Sequence, residues 1–187
     1  MDEQCPGGAM PAGTRVLISE DTIRRRTEEL GAQISRDYDG EELLLVCVLK
    51  GSMHFFVDLA RSITIPVMYS YLGVSSYADS TESFGRVEFT VDVAESIVDR
   101  HVLLVEDIVD TGLTISRIVE RIEGRCPASI RVAALLDKPS RRQQTASIDY
   151  LGFTIDDHFV VGYGLDYRQR YRNLPYIAVL EEAPALP

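Results

Sequence analysis

The segment HVLLVEDIVDTGLT (101–114) brings three carboxylates, two threonines and a glycine to the end of one apolar run. It reads as a buried strand ending in Glu106-Asp107, a turn through Ile108 and Val109, then Asp110-Thr111-Gly112 and a helix. Gly112 permits a tight turn, and the N–H groups at a helix start have no intrahelical partner. Those groups, with the hydroxyls of Thr111 and Thr114, can surround a phosphate. Glu106 and Asp107 cannot ligate the same anion, because like charges repel. They suit ribose hydroxyls with a divalent cation nearby. A sugar phosphate satisfies both halves of the segment at once. The alternative is that Asp110 or Thr111 merely caps the helix, although three carboxylates exceed what a cap requires.

The elements that must position these groups follow from the hydropathy pattern. Arg15 to Ile18 reads as a short strand. Ser19 is placed as an N-cap before Glu20 and Asp21, and Ile23, Leu30 and Ile34 give a helix one buried stripe, ending by Gly40. Leu43 to Leu49 is apolar on both faces, as a central parallel strand is. A turn and helix follow from Lys50, then a strand-like run after Pro66. Ser75 to Gly85 has no period and few apolar anchors, so it reads as a long loop before a strand over Arg86 to Val91. After the acidic segment come a helix over Leu113 to Ile122, a strand over Ser129 to Leu136, and short strands over Phe159 to Tyr163 and Tyr176 to Leu180. Strands separated by helices argue for a single α/β domain over 1–187 with a central, mostly parallel sheet flanked by helices. The section from about 138 to 180 breaks the rhythm and is expected to form much of a small hood lobe over the strand ends. Residues 1–13 and 182–187 are expected to be flexible ends. Ligands in such sheets sit outside the carboxyl ends of the strands, which points to the segments after Leu49, Val105 and Leu136.

Composition removes several classes of function. The 187 residues carry 19 basic and 29 acidic side chains, a net charge of −10, so a broad basic face for nucleic acid is not expected. The longest apolar runs are far shorter than the roughly 18 residues of a membrane span, and no membrane association is expected. Cys5, Cys47 and Cys126 include no CxxC pair, which argues against zinc ligation and thiol redox chemistry and for the cytoplasm. Cys47 lies in an apolar run and reads as core. Gly8 to Thr14 has the outline of a P-loop but lacks its lysine.

VEDIVDTGLT resembles the phosphoribosyl pyrophosphate (PRPP) signature of the type I phosphoribosyltransferases. LKGS (49–52), SSY (75–77), LLDKPSRR (135–142) and FVVGYGLDYRQRYR (159–172) are similar to blocks of the bacterial hypoxanthine, or hypoxanthine-guanine, phosphoribosyltransferases, in the same order. The resemblance implies the type I phosphoribosyltransferase fold, Mg2+ as cofactor, and PRPP, hypoxanthine, guanine and pyrophosphate as reactants. It also implies a homodimer or homotetramer. The nearest alternatives are a xanthine-preferring enzyme of the same class and an RNA-binding regulator on the same fold. The charge of −10 and the presence of Asp110 oppose the latter.

Carried over residue by residue, the resemblance implies that Lys50, Gly51 and Arg172 hold pyrophosphate, with a bond before Lys50 that is often cis. Glu106 and Asp107 would hold the ribose and, with Asp166, the metal. Asp110, Thr111, Gly112, Leu113 and Thr114 would form the 5′-phosphate loop, with Asp110 the acid–base residue at purine N7. Leu113 stands where some members have Lys, so N–H groups and hydroxyls must serve there. Lys138 would donate to the purine 6-oxygen, Phe159 would stack on the base, and Val160 and Asp166 would complete the base site. Ser75, Ser76 and Tyr77 would belong to a lid. Arg142 is a further candidate, whereas Arg168 and Arg170 read more simply as solvated charges.

Overall fold

The computed structural model describes residues 13–76 and 87–181. Of the expected flexible ends, residues 1–12 and 182–187 lie outside them, as does Tyr77 of the expected lid; Gly13 lies inside. In chain order the elements are β1 (Thr14–Ile18), α1 (Glu20–Asp37), β2 (Leu43–Leu49), α2 (Met53–Ser62), β3 (Val67–Ser76), β4 (Val87–Val91), β5 (His101–Val109), α3 (Leu113–Glu123), β6 (Ser129–Asp137), a 3₁₀ turn (Pro139–Arg141), β7 (Tyr150–Thr154), β8 (Val160–Val161) and β9 (Ile177–Leu180).

The main sheet has the order β4-β3-β2-β5-β6-β7 and is parallel except for β4. Strand alternation sorts the side chains of its middle strands. Leu43, Leu45, Cys47, Leu103, Val105, Ala133 and Leu135 pack with α1 and α2. Leu44, Val46, Val102, Leu104, Val132 and Ala134 pack with Ile115, Ile118 and Ile122 of α3. A sheet covered on both faces explains why β2 reads as an uninterrupted apolar run. In α1, Ser19 Oγ accepts from the N–H of Thr22, as an N-cap should. Three antiparallel strands, β1-β9-β8, form a second, smaller sheet.

Several boundaries differ from the sequence reading. The strand bearing the acids does not turn at Ile108 and Val109. It runs on to Val109, because β6 keeps pairing with it as far as Val109↔Asp137. Ser75 and Ser76, expected in a lid loop, are the last residues of β3 and pair with β4. Phe159 precedes β8 rather than opening it, and Tyr163 lies beyond its end. The edge strand β7 was not expected at all. Its middle residue, Gly152, sits where a Cβ would come within 2.4 Å of the Leu135 carbonyl oxygen, so the close pairing with β6 requires glycine.

Candidate active site

The carboxyl ends of β2, β5 and β6 carry the site. Parallel register sets Cys47 beside Val105, so the turn after Leu49 arrives next to Glu106 and Asp107. The Leu49–Lys50 peptide bond is cis. Gly51 follows, and a Cβ there would lie 1.6 Å from Asp107 Oδ2. The Lys50-Gly51 turn and the acidic strand end are thus in direct contact.

Glu106 is 9% exposed, and Asp107 is partly covered. Burial, then the neighbouring Asp107 charge, pushes the Glu106 carboxyl well above the ordinary range. Burial also raises Asp107, while its hydrogen bonds with Glu106 and the Ile108 N–H (2.8 Å) pull it down. Both carboxyls are thus pushed upward by burial, Glu106 the more strongly.

The chain turns only beyond Val109, at Asp110 to Gly112. Gly112 is the residue before α3, at φ +83°, and has no side chain to cap the helix, but Thr111 Oγ1 accepts from the Leu113 N–H at 3.4 Å. Asp110 therefore does not serve as the cap. The first helical bond runs from the Ser116 N–H to the Gly112 carbonyl (3.1 Å), which leaves the amides of Thr114 and Ile115 as the free first turn. Leu113 is partly exposed within this turn and brings no charge to it. Glu106 to Gly112, with Thr114 and Ile115, line a cavity of about 230 Å³. That is smaller than a typical whole-ligand pocket and suits a phosphate with part of its sugar.

The loop after β6 braces this turn from behind. The N–H groups of Gln143 and Gln144 both donate to the Thr111 carbonyl, at 2.9 and 3.1 Å. A Cβ on Gly112 would meet the Gln144 carbonyl oxygen at 2.4 Å and Cδ of Arg142 at 3.1 Å. Arg142 is ion-paired with Asp137. Glu106 Oε2, Asp110 Oδ1 and Arg142 Nη1 are buried and make no hydrogen bond among the described residues. Buried polar atoms are rarely left so, and their gathering around one loop marks a place for ligand groups. Asp110 Oδ1 does have a charged neighbour, Arg141 Nε at 3.0 Å, without an aligned hydrogen bond.

Lys138 follows β6 and is 6% exposed. Its ammonium donates to the His158 carbonyl and stands 3.8 Å from Asp157 Oδ1. Three donors on one nitrogen leave capacity for a further acceptor. Phe159 comes next to this anchor. Its ring is 53% exposed, with Tyr167 edge-on at 5.9 Å, so it is not a core aromatic and has a free face. Val160 pairs with Val179 in the second sheet.

Asp166 and Arg172 belong to the loop between β8 and β9. Asp166 Oδ1 meets Arg172 Nη2 at 2.7 Å, and Oδ2 accepts from the Gln169 N–H. Arg172 Nη1 donates to the Gly164 carbonyl at 2.6 Å. A Cβ on Gly164 would meet the Gly51 carbonyl oxygen at 1.9 Å. Arg172 is near enough to Asp107 to lower its pKa. The loop therefore brings Arg172 to the Lys50-Gly51 turn. Arg168 lies over the Tyr167 ring at 5.4 Å, a surface role.

No three His, Cys, Asp or Glu side chains among the described residues converge on a metal position. Glu106, Asp107 and Asp166 are thus not a protein-only cage. Magnesium usually takes one or two carboxylates, waters and substrate phosphates, and the acids at the end of β5 fit that donor set.

Residues 18–168 match the phosphoribosyl transferase domain model. The chain belongs to the phosphoribosyltransferase family. Its similarity is to the hypoxanthine-guanine branch. It is 46% identical to the hypoxanthine-guanine phosphoribosyltransferase of Bacillus subtilis, over 90% of this chain and 94% of that one. A hypoxanthine phosphoribosyltransferase from Staphylococcus aureus superposes with a TM-score of 0.85 at 45% identity, covering 89% of this chain and 90% of the other. A hypoxanthine-guanine phosphoribosyltransferase from Bacillus anthracis superposes with a TM-score of 0.84 at 41% identity, covering 88% and 97%. The mostly parallel sheet flanked by helices is the type I phosphoribosyltransferase fold.

The acids, the turn of Asp110 to Thr114 and Lys138, all singled out from the sequence, lie at the ends of β5 and β6, and Arg172 comes to the Lys50-Gly51 turn. The sequence reading missed Asp137 behind Arg142, the Gln143 and Gln144 amides, and Asp58, which accepts the Tyr163 hydroxyl at 2.6 Å. Those contacts join segments far apart in the chain, and no local spacing signals them.

Proposed function

We infer that this chain is a purine-salvage enzyme that transfers the 5-phosphoribosyl group of PRPP to N9 of hypoxanthine or guanine, giving IMP or GMP and pyrophosphate. The observation that carries this reading is the meeting of three parts at adjacent strand ends: the Lys50-Gly51 turn, the Glu106-Asp107 pair and the turn of Asp110 to Thr114. A phosphorylated sugar with a second, anionic leaving group needs all three.

Binding starts from the free amides of α3 and the hydroxyls of Thr111 and Thr114, which receive the 5′-phosphate. The acids at the end of β5 accept from the ribose hydroxyls. The N–H groups of Lys50 and Gly51, with the Arg172 guanidinium, hold the leaving pyrophosphate and stabilise its charge as the C1–O bond breaks. Magnesium, held by Asp107 and Asp166 together with substrate oxygens, would neutralise part of that charge. Lys138 donates to the 6-oxygen, Phe159 stacks on the ring, and Val160 and Asp166 bound its other edge. Asp110 takes the proton that N7 carries as the ring becomes cationic. The lid, with Ser75 and Ser76 at the end of β3 and Tyr77 beyond, excludes water from the oxocarbenium-like centre.

The enzyme works in the cytoplasm as a homodimer or homotetramer and binds neither nucleic acid nor membrane. The charge of −10 opposes nucleic-acid binding, and no helix among the described residues is long and apolar enough to cross a membrane. The test is a turnover panel with PRPP and magnesium against hypoxanthine, guanine, xanthine and adenine. A lysine cannot accept from the 6-amino group of adenine, so the 6-oxopurines should dominate. Adenine turnover equal to that of hypoxanthine would remove Lys138 from its role. No turnover of any base would remove the reading altogether.

A further inference from the structure

Asp58 and Tyr163 sit outside every role assigned above, yet they join the two segments that meet at the pyrophosphate position. Asp58 lies on α2, the helix that begins just after the Lys50-Gly51 turn. Tyr163 lies on the loop leading to Arg172, is 7% exposed, and donates its hydroxyl to Asp58 Oδ2 at 2.6 Å.

The backbone around Tyr163 is unusual. Gly162, Tyr163 and Gly164 all have positive φ, at 98°, 49° and 103°. A bulky residue in the left-handed region is rare and persists only where surrounding contacts hold it. The contacts here are specific. The Tyr163 N–H donates to the Leu174 carbonyl at 2.8 Å, and the Gly164 N–H to the Arg172 carbonyl at 2.9 Å. The Gly164 carbonyl in turn accepts from Arg172 Nη1, and Gly164 leaves no room for a side chain against Gly51. The Tyr163 side chain therefore sits at the root of the turn that sets Arg172 against Gly51. Burial, with the hydrogen bond to Asp58, pushes the Tyr163 phenol far above its usual range, so it remains a donor at any working pH.

The geometry points to Asp58 and Tyr163 as a positioning pair for the pyrophosphate half of the site, fixing Arg172 and Gly164 over the Lys50-Gly51 turn. Of the base half, only Asp166 shares this loop. Val160 is held by pairing with β9, and Lys138 by the His158 carbonyl. The pair should therefore act mainly on the pyrophosphate-bearing substrate and far less on the base. This rests on the placement of pyrophosphate at Lys50, Gly51 and Arg172.

The experiment measures KM for PRPP, KM for hypoxanthine and product inhibition by pyrophosphate in the full chain. Tyr163→Phe and Asp58→Ala should each raise the PRPP KM and the pyrophosphate inhibition constant by about three- to tenfold, the range for losing a part-buried hydrogen bond between a buried phenol and an exposed carboxylate. The hypoxanthine KM should stay within about twofold. Asp58→Asn keeps an acceptor oxygen and should remain near the parent, and the Tyr163→Phe/Asp58→Ala double variant should be no worse than either single one. A purely structural contact would lower Tm and leave the two KM values in their original ratio, which would overturn the inference. So would an Asp58→Asn variant as impaired as Asp58→Ala. Should Asp58→Ala fail to fold, Tyr163→Phe, which loses one oxygen, decides alone. Arg172→Ala separates the two layers of argument. If it leaves pyrophosphate inhibition unchanged, the placement of pyrophosphate falls and this pair with it. If it weakens inhibition while Tyr163→Phe does not, only the pair falls.

Discussion

Gly51→Ala tests the contact on which the site is built. The Gly51 backbone has no left-handed φ, so alanine is acceptable to the main chain. The obstacle is Asp107, whose Oδ2 and Cγ would lie 1.6 and 2.7 Å from the new methyl carbon. Ordinary contact needs about 3.5 Å, so the carboxylate has to retreat by roughly 2 Å. That movement breaks the bond from the Ile108 N–H to Oδ1, now 2.8 Å long. A hydrogen bond to a charged group is worth about 1.5 to 3 kcal/mol, so PRPP affinity should fall by roughly 10- to 150-fold if Asp107 must regain its place to bind. Overpacking of about 1 to 3 kcal/mol should also lower Tm, by roughly 2–4 °C per kcal/mol in a chain of this size. Calorimetric titration with PRPP and magnesium measures the first effect, and thermal unfolding the second. The decisive arm is an Asp107→Ala background. Asp107→Ala vacates the space, so adding Gly51→Ala should then cost little further affinity. An undiminished loss in that background would mean that the methyl group blocks pyrophosphate directly. The reasoning about Asp107 would then be refuted, as it would by unchanged PRPP affinity in Gly51→Ala itself.

Other outcomes follow from the same geometry. Asp110→Asn should lower single-turnover nucleotide formation by roughly 10²- to 10⁴-fold, with PRPP affinity little changed; its neighbour Arg141 is half exposed, so the lost ion pair should cost no more than about 1 kcal/mol of stability. Near-normal chemistry in that variant would remove Asp110 as the acid–base residue. Glu106→Gln fixes the neutral form that burial favours. Native Glu106 holds its proton above the ordinary value of 4.5 while the unfolded chain releases it, so its stabilisation is complete below that pH and is lost as pH rises through the folded value. Tm of the parent should therefore fall relative to Glu106→Gln between pH 5 and pH 8, and a constant gap would contradict the burial argument. Burial also pushes the Cys47 thiol up to about 11, so Cys47 should resist a thiol reagent at pH 8 while the exposed Cys126 reacts; peptide mapping of the labelled sites checks this.

What could be read from the chain, and what could not, divides by contact distance along it. The turn of Asp110 to Gly112, the helix it opens and the apolar strand before it are local, and Gly112 with its neighbouring threonines declares them. Lys138 was legible because it closes a strand with a clear apolar run. β7 was not, since Tyr150–Thr154 holds a glycine whose only justification is the Leu135 carbonyl on another strand. Nor was the extent of β5, since Ile108 and Val109 stay in the strand through their pairing with β6. The bracing of Gly112 by Gln144 and Arg142, and the Gly164–Gly51 contact, likewise join segments that only the fold brings together.

The alternation of β5 also explains why two adjacent acids are needed where one carboxylate would bind a cation. On this strand Val102 and Leu104 face α3, while Leu103 and Val105 face α1 and α2. Continuing the period of two sends Glu106 toward the α3 side and Asp107 toward the α2 side. Asp107 accordingly meets Gly51, at the start of the turn into α2, and feels the charge of Arg172. Glu106 lies in the wall of the cavity under Gly112 and Thr114, with Oε2 left without a partner among the described residues. On the proposed reading, a ribose bound across this strand end would have its phosphate on one side and its pyrophosphate on the other. Consecutive carboxylates on an extended chain are the shortest way to place an acceptor at each.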